Sequence, residues 1–441
     1  MNESDLYQVA RVVAPPEQVQ GNMFILPPNG APVMLHWDNL DVAKLPRYVH
    51  IRIMAAQDDN EEKWVEAFWP TTGEPLRAFD IRYARQFQLF AITVERADAE
   101  RIAHEGLGLR LDDGTTPLYL SWKDQRLYQS MKVIPISDVR GPHIVNIVNI
   151  ASNPPSSELY NRLISQACIQ QFGGATGIVL NGMADLGNAG VVDRQALFLY
   201  ANLHRTRENQ TVSDGQDAGQ LLAWAMLTML ASEPTSSGFT ILAERSLEKL
   251  DQTILTPQSA YLHSYPLAIL ARTLNRPELA ERALAILREV SQQKLGSWSR
   301  DVGLYLLGLV RTLLELPTVD EALRAEVERL CAWVVQYQSK PGLWATYVDD
   351  LKTPPDTMGT AAIATALALA YTKKLVPTRY TTEVNNAVQV LKQFLTPDGF
   401  LTGAAPLYAD EALQRSDYRV ISQVGMGFFA QLLATSKIFR A

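Results

Sequence analysis

The 441-residue chain is poor in cysteine, with two, and in histidine, with six. Cys168 and Cys331 sit among apolar neighbours in helical patterns and read as buried free thiols, although a disulfide stays open. No His, Cys or acidic residues stand at a zinc spacing. "GGATG" lacks the P-loop lysine, "GLGLRL" lacks the dinucleotide fingerprint, and no G-x-S-x-G occurs. The chain is therefore expected to use no metal and no cofactor. Long apolar runs are missing too. The longest, Ala361–Tyr371, is too short to span a bilayer. The first residues lack the basic start and apolar segment of a secretory signal. The expectation is a cytoplasmic protein without a membrane span, with release by lysis or a dedicated machine left open. A net charge of −7 without a dense Lys/Arg cluster argues against a nucleic-acid partner.

Apolar residues are plentiful, at 47%, against 20% charged, so a large core can form. They follow two periods. Up to about residue 150 the pattern is short and strand-like. "RYVHIRIMAAQ" sets Val49, Ile51 and Ile53 against His50 and Arg52, and "FQLFAITVERA" puts Phe90, Ile92 and Val94 on one face. Turn signals such as "PPNGAP", "TTGEP" and "DDGTTP" separate the runs. This spacing predicts an N-terminal antiparallel β-sandwich over residues 1–150.

After Asn153-Pro154-Pro155 the period becomes helical. Helices are expected over 158–171, 191–206, 216–231, 240–253, 262–274, 277–293, 301–315, 320–338, 357–373, 380–395 and 418–436. One set is apolar all round, such as "QLLAWAMLTMLA" and "GTAAIATALALAY". The alternate set has a charged face, such as "PELAERALAILREVSQQ". Buried helices inside amphipathic ones predict an all-α (α/α)6-type toroid over residues 151–441.

Polar and aromatic residues just before the apolar helices would line a central cleft. They include Asp185, Asn188 and Asp193; Asp214 and Asp217; His263; Trp298, Arg300 and Asp301; Trp344, Tyr347, Asp349, Asp350 and Asp356; and Asp417 and Arg419. Aromatic rings stack on sugar C–H faces, while Asp and Arg bond hydroxyl and acid groups. Trp298, Arg300, Trp344, Tyr347 and Asp356 are the candidate saccharide contacts. Asp356, Asp217 and Asp417 also read as helix caps.

"WSRDVGL", "PGLW" and "DTMGTAAIATALALAY" carry a resemblance to glycoside hydrolase families 88 and 105, the unsaturated glucuronyl and rhamnogalacturonyl hydrolases. It covers about residues 158–436 and is best from 257. Trp298, Arg300 and Gly303 match the family's W-x-R-G-x-G-W stretch, but Asp301 replaces its first glycine and Leu304 its last tryptophan. Gly342–Trp344 match a G-L-W. Gly359, Thr360 and Ala361 match a helix start in which Asp356 and Met358 replace Glu and Ser. The resemblance implies the toroid and a saccharide ligand. It also implies an aspartate acid/base ahead of a P-x-L-A stretch, but aligning Pro266 puts Ser259 and Ala260 there. Neither can transfer a carboxyl's proton. Two expectations follow. One is a non-catalytic glycan-binding or assembly protein. The other is an active hydrolase with a relocated acid, Asp185, Asp193 or Asp301. The β-domain is a further candidate surface for a protein partner, through strand pairing.

Overall fold

The computed structural model describes residues 7–121 apart from 21, 22, 29, 38–41, 46 and 87; residues 146–149; residues 173–188; and residues 220–440 apart from 232, 233, 237, 397, 398, 408 and 409. The chain forms two compact units. The first takes residues 1–170 and 396–400, and the second takes 171–395 and 401–441. The sequence boundary at 150 and the observed one at 170 are separated by residues outside the described set.

In the first unit twelve described strands run β1 (Tyr7–Val9), β2 (Arg11–Val13), β3 (Val19–Gln20), β4 (Met23–Leu26), β5 (Val33–His36), β6 (Tyr48–Met54), β7 (Glu62–Phe68), β8 (Pro75–Arg82), β9 (Leu89–Glu95), β10 (Leu107–Asp113), β11 (Leu118–Ser121) and β12 (Asn146–Asn149). All described pairings are antiparallel, in sheets ordered β1-β12-β6-β9, β2-β5-β10-β7-β8 and β11-β4-β3. The period-two pattern sets the register: Val49 faces Val94, Ile51 faces Ile92 and Ile53 faces Phe90. These side chains join one apolar core with Phe24, Val33, Leu35, Val65, Phe79 and Leu109. A helix also lies here, α1 (Arg96–Glu105), which the β-type reading of this half did not include.

The second unit is helical. Its long helices are α2 (Gly174–Asn188), α3 (Leu221–Leu230), α4 (Gly238–Leu250), α5 (Tyr265–Leu274), α6 (Pro277–Ser291), α7 (Ser299–Glu315), α8 (Glu321–Val334), α9 (Thr357–Thr372) and α10 (Thr381–Gln393). A short α11 (Glu411–Arg415) precedes α12 (Gln423–Arg440). α2 packs on α3, α3 on α5, and α5 with the π-helical turn Ala260–Ser264 on α7. α7 packs on α9, α9 on α12, and α12 returns to α2. Six helices thus close a ring. α4, α6, α8 and α10 pack on α3, α5, α7 and α9 in turn. α9 is buried nearly all round, whereas α6 buries only the stripe Leu279, Ala283, Ile286, Leu287 and Val290.

Glycine lets the ring close. A Cβ on Gly182 in α2 would lie 2.6 Å from the Gly427 carbonyl oxygen of α12. One on Gly303 in α7 would lie 2.6 Å from the Ala362 Cβ of α9. One on Gly308 would lie 2.4 Å from the Ala260 backbone. The elements approach so closely at these seams that a side chain at any of the three glycines would force them apart.

Candidate functional site

The start of α7 and the loop before α9 are tied together by backbone pairing. Ser299 N donates to Thr346 O (2.8 Å), Val348 N donates to Ser297 O (2.7 Å), and Trp298 bridges Tyr347. The loop folds back on itself, with Thr346 N on Pro354 O and Asp356 N on Trp344 O. The pairing sets Trp298, Arg300, Asp301 and Tyr347 side by side, although nearly fifty residues separate the two segments.

Each of these side chains has a fixed partner. The Arg300 guanidinium lies 3.7 Å above the Trp298 ring. Its Nε donates to Asp301 Oδ1 (2.9 Å) and its Nη1 to Leu407 O (3.1 Å). Asp301 Oδ1 also accepts from Gln258 Nε2 (2.9 Å). The Tyr347 hydroxyl donates to Gln414 Oε1 (2.7 Å), and Arg415 stacks 4.3 Å from its ring. Partial burial raises the Tyr347 phenol above its ordinary range. Arg415 in turn binds Asp350 and Glu411, and its bond holds the Asp350 carboxyl below the usual range. Trp298 and Tyr347 remain half-buried, so a ligand can still reach them.

Two candidate contacts do structural work instead. Trp344 is fully buried; its indole N–H donates to Val334 O (2.7 Å), which removes it as a stacking surface. Asp356 is also fully buried. Its Oδ1 accepts from Met358 N and Ala405 N, and its Oδ2 from Gly359 N and the Ser299 hydroxyl. A carboxylate offers about four acceptor positions, so Asp356 has none left for a sugar. It caps α9 and pins the start of α7 to it. Asp417 and Arg419 precede α12, but Arg419 is spent on the carbonyls of Pro355, Ser416 and Tyr418 and on the Thr346 hydroxyl.

Asp185 lies in the last turn of α2, not ahead of a ring helix. It pairs with Arg311 of α7. Arg311 is ten residues beyond Asp301, which is about 15 Å along the helix at 1.5 Å per residue. The two candidate acids therefore belong to opposite ends of α7. Asp193, Asp214, Asp217 and Cys168 lie outside the described residues. Cys331 is free and buried, which pushes its thiol up to about 12.

The sequence did not reveal a buried polar network inside the ring. Arg311 Nη2 donates to Gln431 Oε1 (2.8 Å), and Gln431 Nε2 donates to the Tyr261 hydroxyl (3.0 Å). Asn181 Nδ2 donates to the Tyr265 hydroxyl (2.7 Å). Burial raises both phenols, Tyr265 up to about 12. Burial disfavours the Arg311 cation most strongly, but Asp185 together with the Tyr265 and Tyr261 oxygens keeps it charged. The only signal was an isolated Arg or Gln inside otherwise apolar "VRTLL" and "FAQLLA". The acid position implied by the resemblance holds Ser259, whose hydroxyl accepts from Thr256 N (3.0 Å), and Ala260, packed under Gly308; both are buried. No group of three or more His, Cys, Asp or Glu residues that could hold a metal occurs among the described residues. None of the described helices is long and apolar enough to cross a membrane.

Residues 286–440 match the sequence model of Glycosyl Hydrolase Family 88. No curated protein matches the chain in sequence. Among solved structures, the chain is similar to a possible member of glycoside hydrolase family 105 from Salmonella enterica, at 15% identity and TM-score 0.57. That match covers 65% of this chain and 96% of the other. A possible family 105 member from Klebsiella pneumoniae gives 15% and 0.56, over 66% and 94%. A family 88 glycosyl hydrolase from Bacteroides vulgatus gives 15% and 0.51, over 64% and 97%. The helical unit thus has the fold of the family 88 and 105 glycoside hydrolases, and residues 286–440 carry the family 88 sequence pattern.

Proposed function

We propose that this protein binds a saccharide at the Trp298–Arg300–Tyr347 face and does not hydrolyse it. The observation that carries this reading is the contrast between two places on the ring. Trp298 and Tyr347 are half-buried rings set side by side, with Arg300 and Arg415 over one face of each, and such aromatic and polar groups together suit a saccharide. Where the resemblance calls for the acid, Ser259 and Ala260 are buried and carry no carboxyl, and Gly308 packs against Ala260. Calorimetric titration with a panel of neutral and acidic oligosaccharides tests the reading. Binding is expected to weaken at least tenfold, about 1.4 kcal/mol, in Trp298→Ala. Unsaturated disaccharides are expected to stay intact. Turnover abolished by an Asp→Asn change would overturn the non-catalytic part.

A second reading is hydrolysis through a relocated acid. Asp301 favours it, being a quarter exposed and beside Trp298 and Arg300. Asp301→Asn would then abolish activity. Asp185 is engaged by Arg311 about 15 Å away along α7; Asp193 stays a candidate of this second reading.

The first unit is proposed as the docking surface for a protein partner. β8 borders the five-stranded sheet and leaves one edge unpaired among the described strands. Mass photometry of the whole protein would reveal self-association through such an edge.

A further inference from the structure

The saccharide reading leaves open which saccharide, and the hydrogen bonding of the arginines bears on that. Three arginines stand around the paired segments, and each is engaged. Arg300 gives its Nε hydrogen to Asp301 and one Nη1 hydrogen to Leu407 O. Arg415 gives Nη1 to Asp350 (2.7 Å) and Nε to Glu411 (2.8 Å). Arg419 is bound to carbonyls and a hydroxyl. Arginine grips a carboxylate best through two parallel N–H bonds. At Arg300 the Nε/Nη2 fork has already lost its Nε to Asp301.

Charge leads the same way. Arg300 and Arg415 face three carboxylates, Asp301, Asp350 and Glu411. The Arg300 and Asp301 side chains are only 13% and 25% exposed, so solvent screens them incompletely. A ligand carboxylate drawn to Arg300 would arrive beside Asp301, and like charges in a partly buried place repel. A sugar hydroxyl or ring oxygen meets no such repulsion and can accept from the uncommitted Nη2.

We propose that this site takes uncharged saccharide and rejects ionised uronate, and that Asp301 sets the discrimination. The proposal rests on the saccharide reading above. The test is calorimetric titration of the full chain with two matched pairs: tetragalacturonate and a hyaluronan tetrasaccharide, each in the ionised form and as the full methyl ester. The ester keeps the skeleton and removes the charge. Wild type is expected to bind an ester at least tenfold more tightly than its ionised twin. Asp301→Asn keeps an acceptor for Arg300 Nε while removing the charge, and it should erase that preference. A wild type that binds the ionised form as tightly or more tightly overturns the proposal and leaves the saccharide reading standing. An ester preference that survives in folded Asp301→Asn removes Asp301 from it. Binding of none of the four probes overturns the saccharide reading itself, and this proposal with it. The wild-type comparison stands even if the variant fails to fold.

Discussion

Asp356 shows how one residue can hold two helices without touching a ligand. Its four accepted bonds come from α9, from Ala405 and from Ser299 of α7. Asp356→Ala removes a cap and leaves those buried donors unpaired, so a loss of about 3 kcal/mol is expected in urea unfolding. Ser299→Ala, which removes one of the four, should cost about 1 kcal/mol. A neutral Ser299→Ala would mean that the cap alone matters, and equal effects would mean that the bridge to α7 accounts for the whole loss. The buried phenols give a pH signature. Tyr265 is pushed up to about 12 when folded, against the ordinary value of 10. Above pH 10 the unfolded chain sheds this proton while the folded chain keeps it, so the unfolded state binds fewer protons and stability falls as pH rises. The contribution is whole below pH 10 and disappears toward pH 12. In Tyr265→Phe the stability slope between those values should be shallower; an unchanged slope would exclude Tyr265 as its source. Trp298, Arg300 and Tyr347 were singled out in the sequence because their residue types suit a sugar face, and the structure sets them side by side. Leu407 and Gln414, which hold Arg300 and Tyr347, and Gln258, which holds Asp301, were not, because only folding brings such distant positions together. Trp344 read in sequence as a stacking surface, since burial cannot be read from a motif, whereas the capping role of Asp356 was legible from its place before α9.

Most described helices followed from their apolar period; α1, α2 and the short α11 did not. α2 carries four glycines, which favour the unfolded chain, and it was absent from the expected set. Tertiary packing overrides that propensity, because Gly177 and Gly182 allow α3 and α12 to approach. The expected helix from 418 begins at 423 instead, because Val420 pairs with Ala404 before the chain turns in. The seam between α7 and the π-helical turn offers a test at this scale. Gly308→Ala places a Cβ 2.4 Å from the Ala260 backbone. It should destabilise the protein by about 1–3 kcal/mol. A neutral result in thermal melting would show that the seam relaxes freely.

At the scale of the whole chain, the ring is completed only by its last helix, since α12 packs on both α9 and α2. Deleting residues 423–441 leaves apolar faces of both helices uncovered, and the cooperative unfolding of the helical unit should be lost. A truncated protein that still melts sharply would contradict ring closure as the source of stability. The alternation of buried and amphipathic helices made the ring legible. The filling of its interior by Asn181, Tyr261, Tyr265, Arg311 and Gln431 was not, because those residues are isolated in sequence and meet only when the ring closes. The proposed reading is a hydrolase-like ring that binds sugar at Trp298, Arg300 and Tyr347 and does not hydrolyse it. Its most direct test is the mass of an unsaturated oligosaccharide recovered from the protein after prolonged incubation. The proposed reading predicts that the oligosaccharide returns unchanged, and a shortened or water-added product would contradict it.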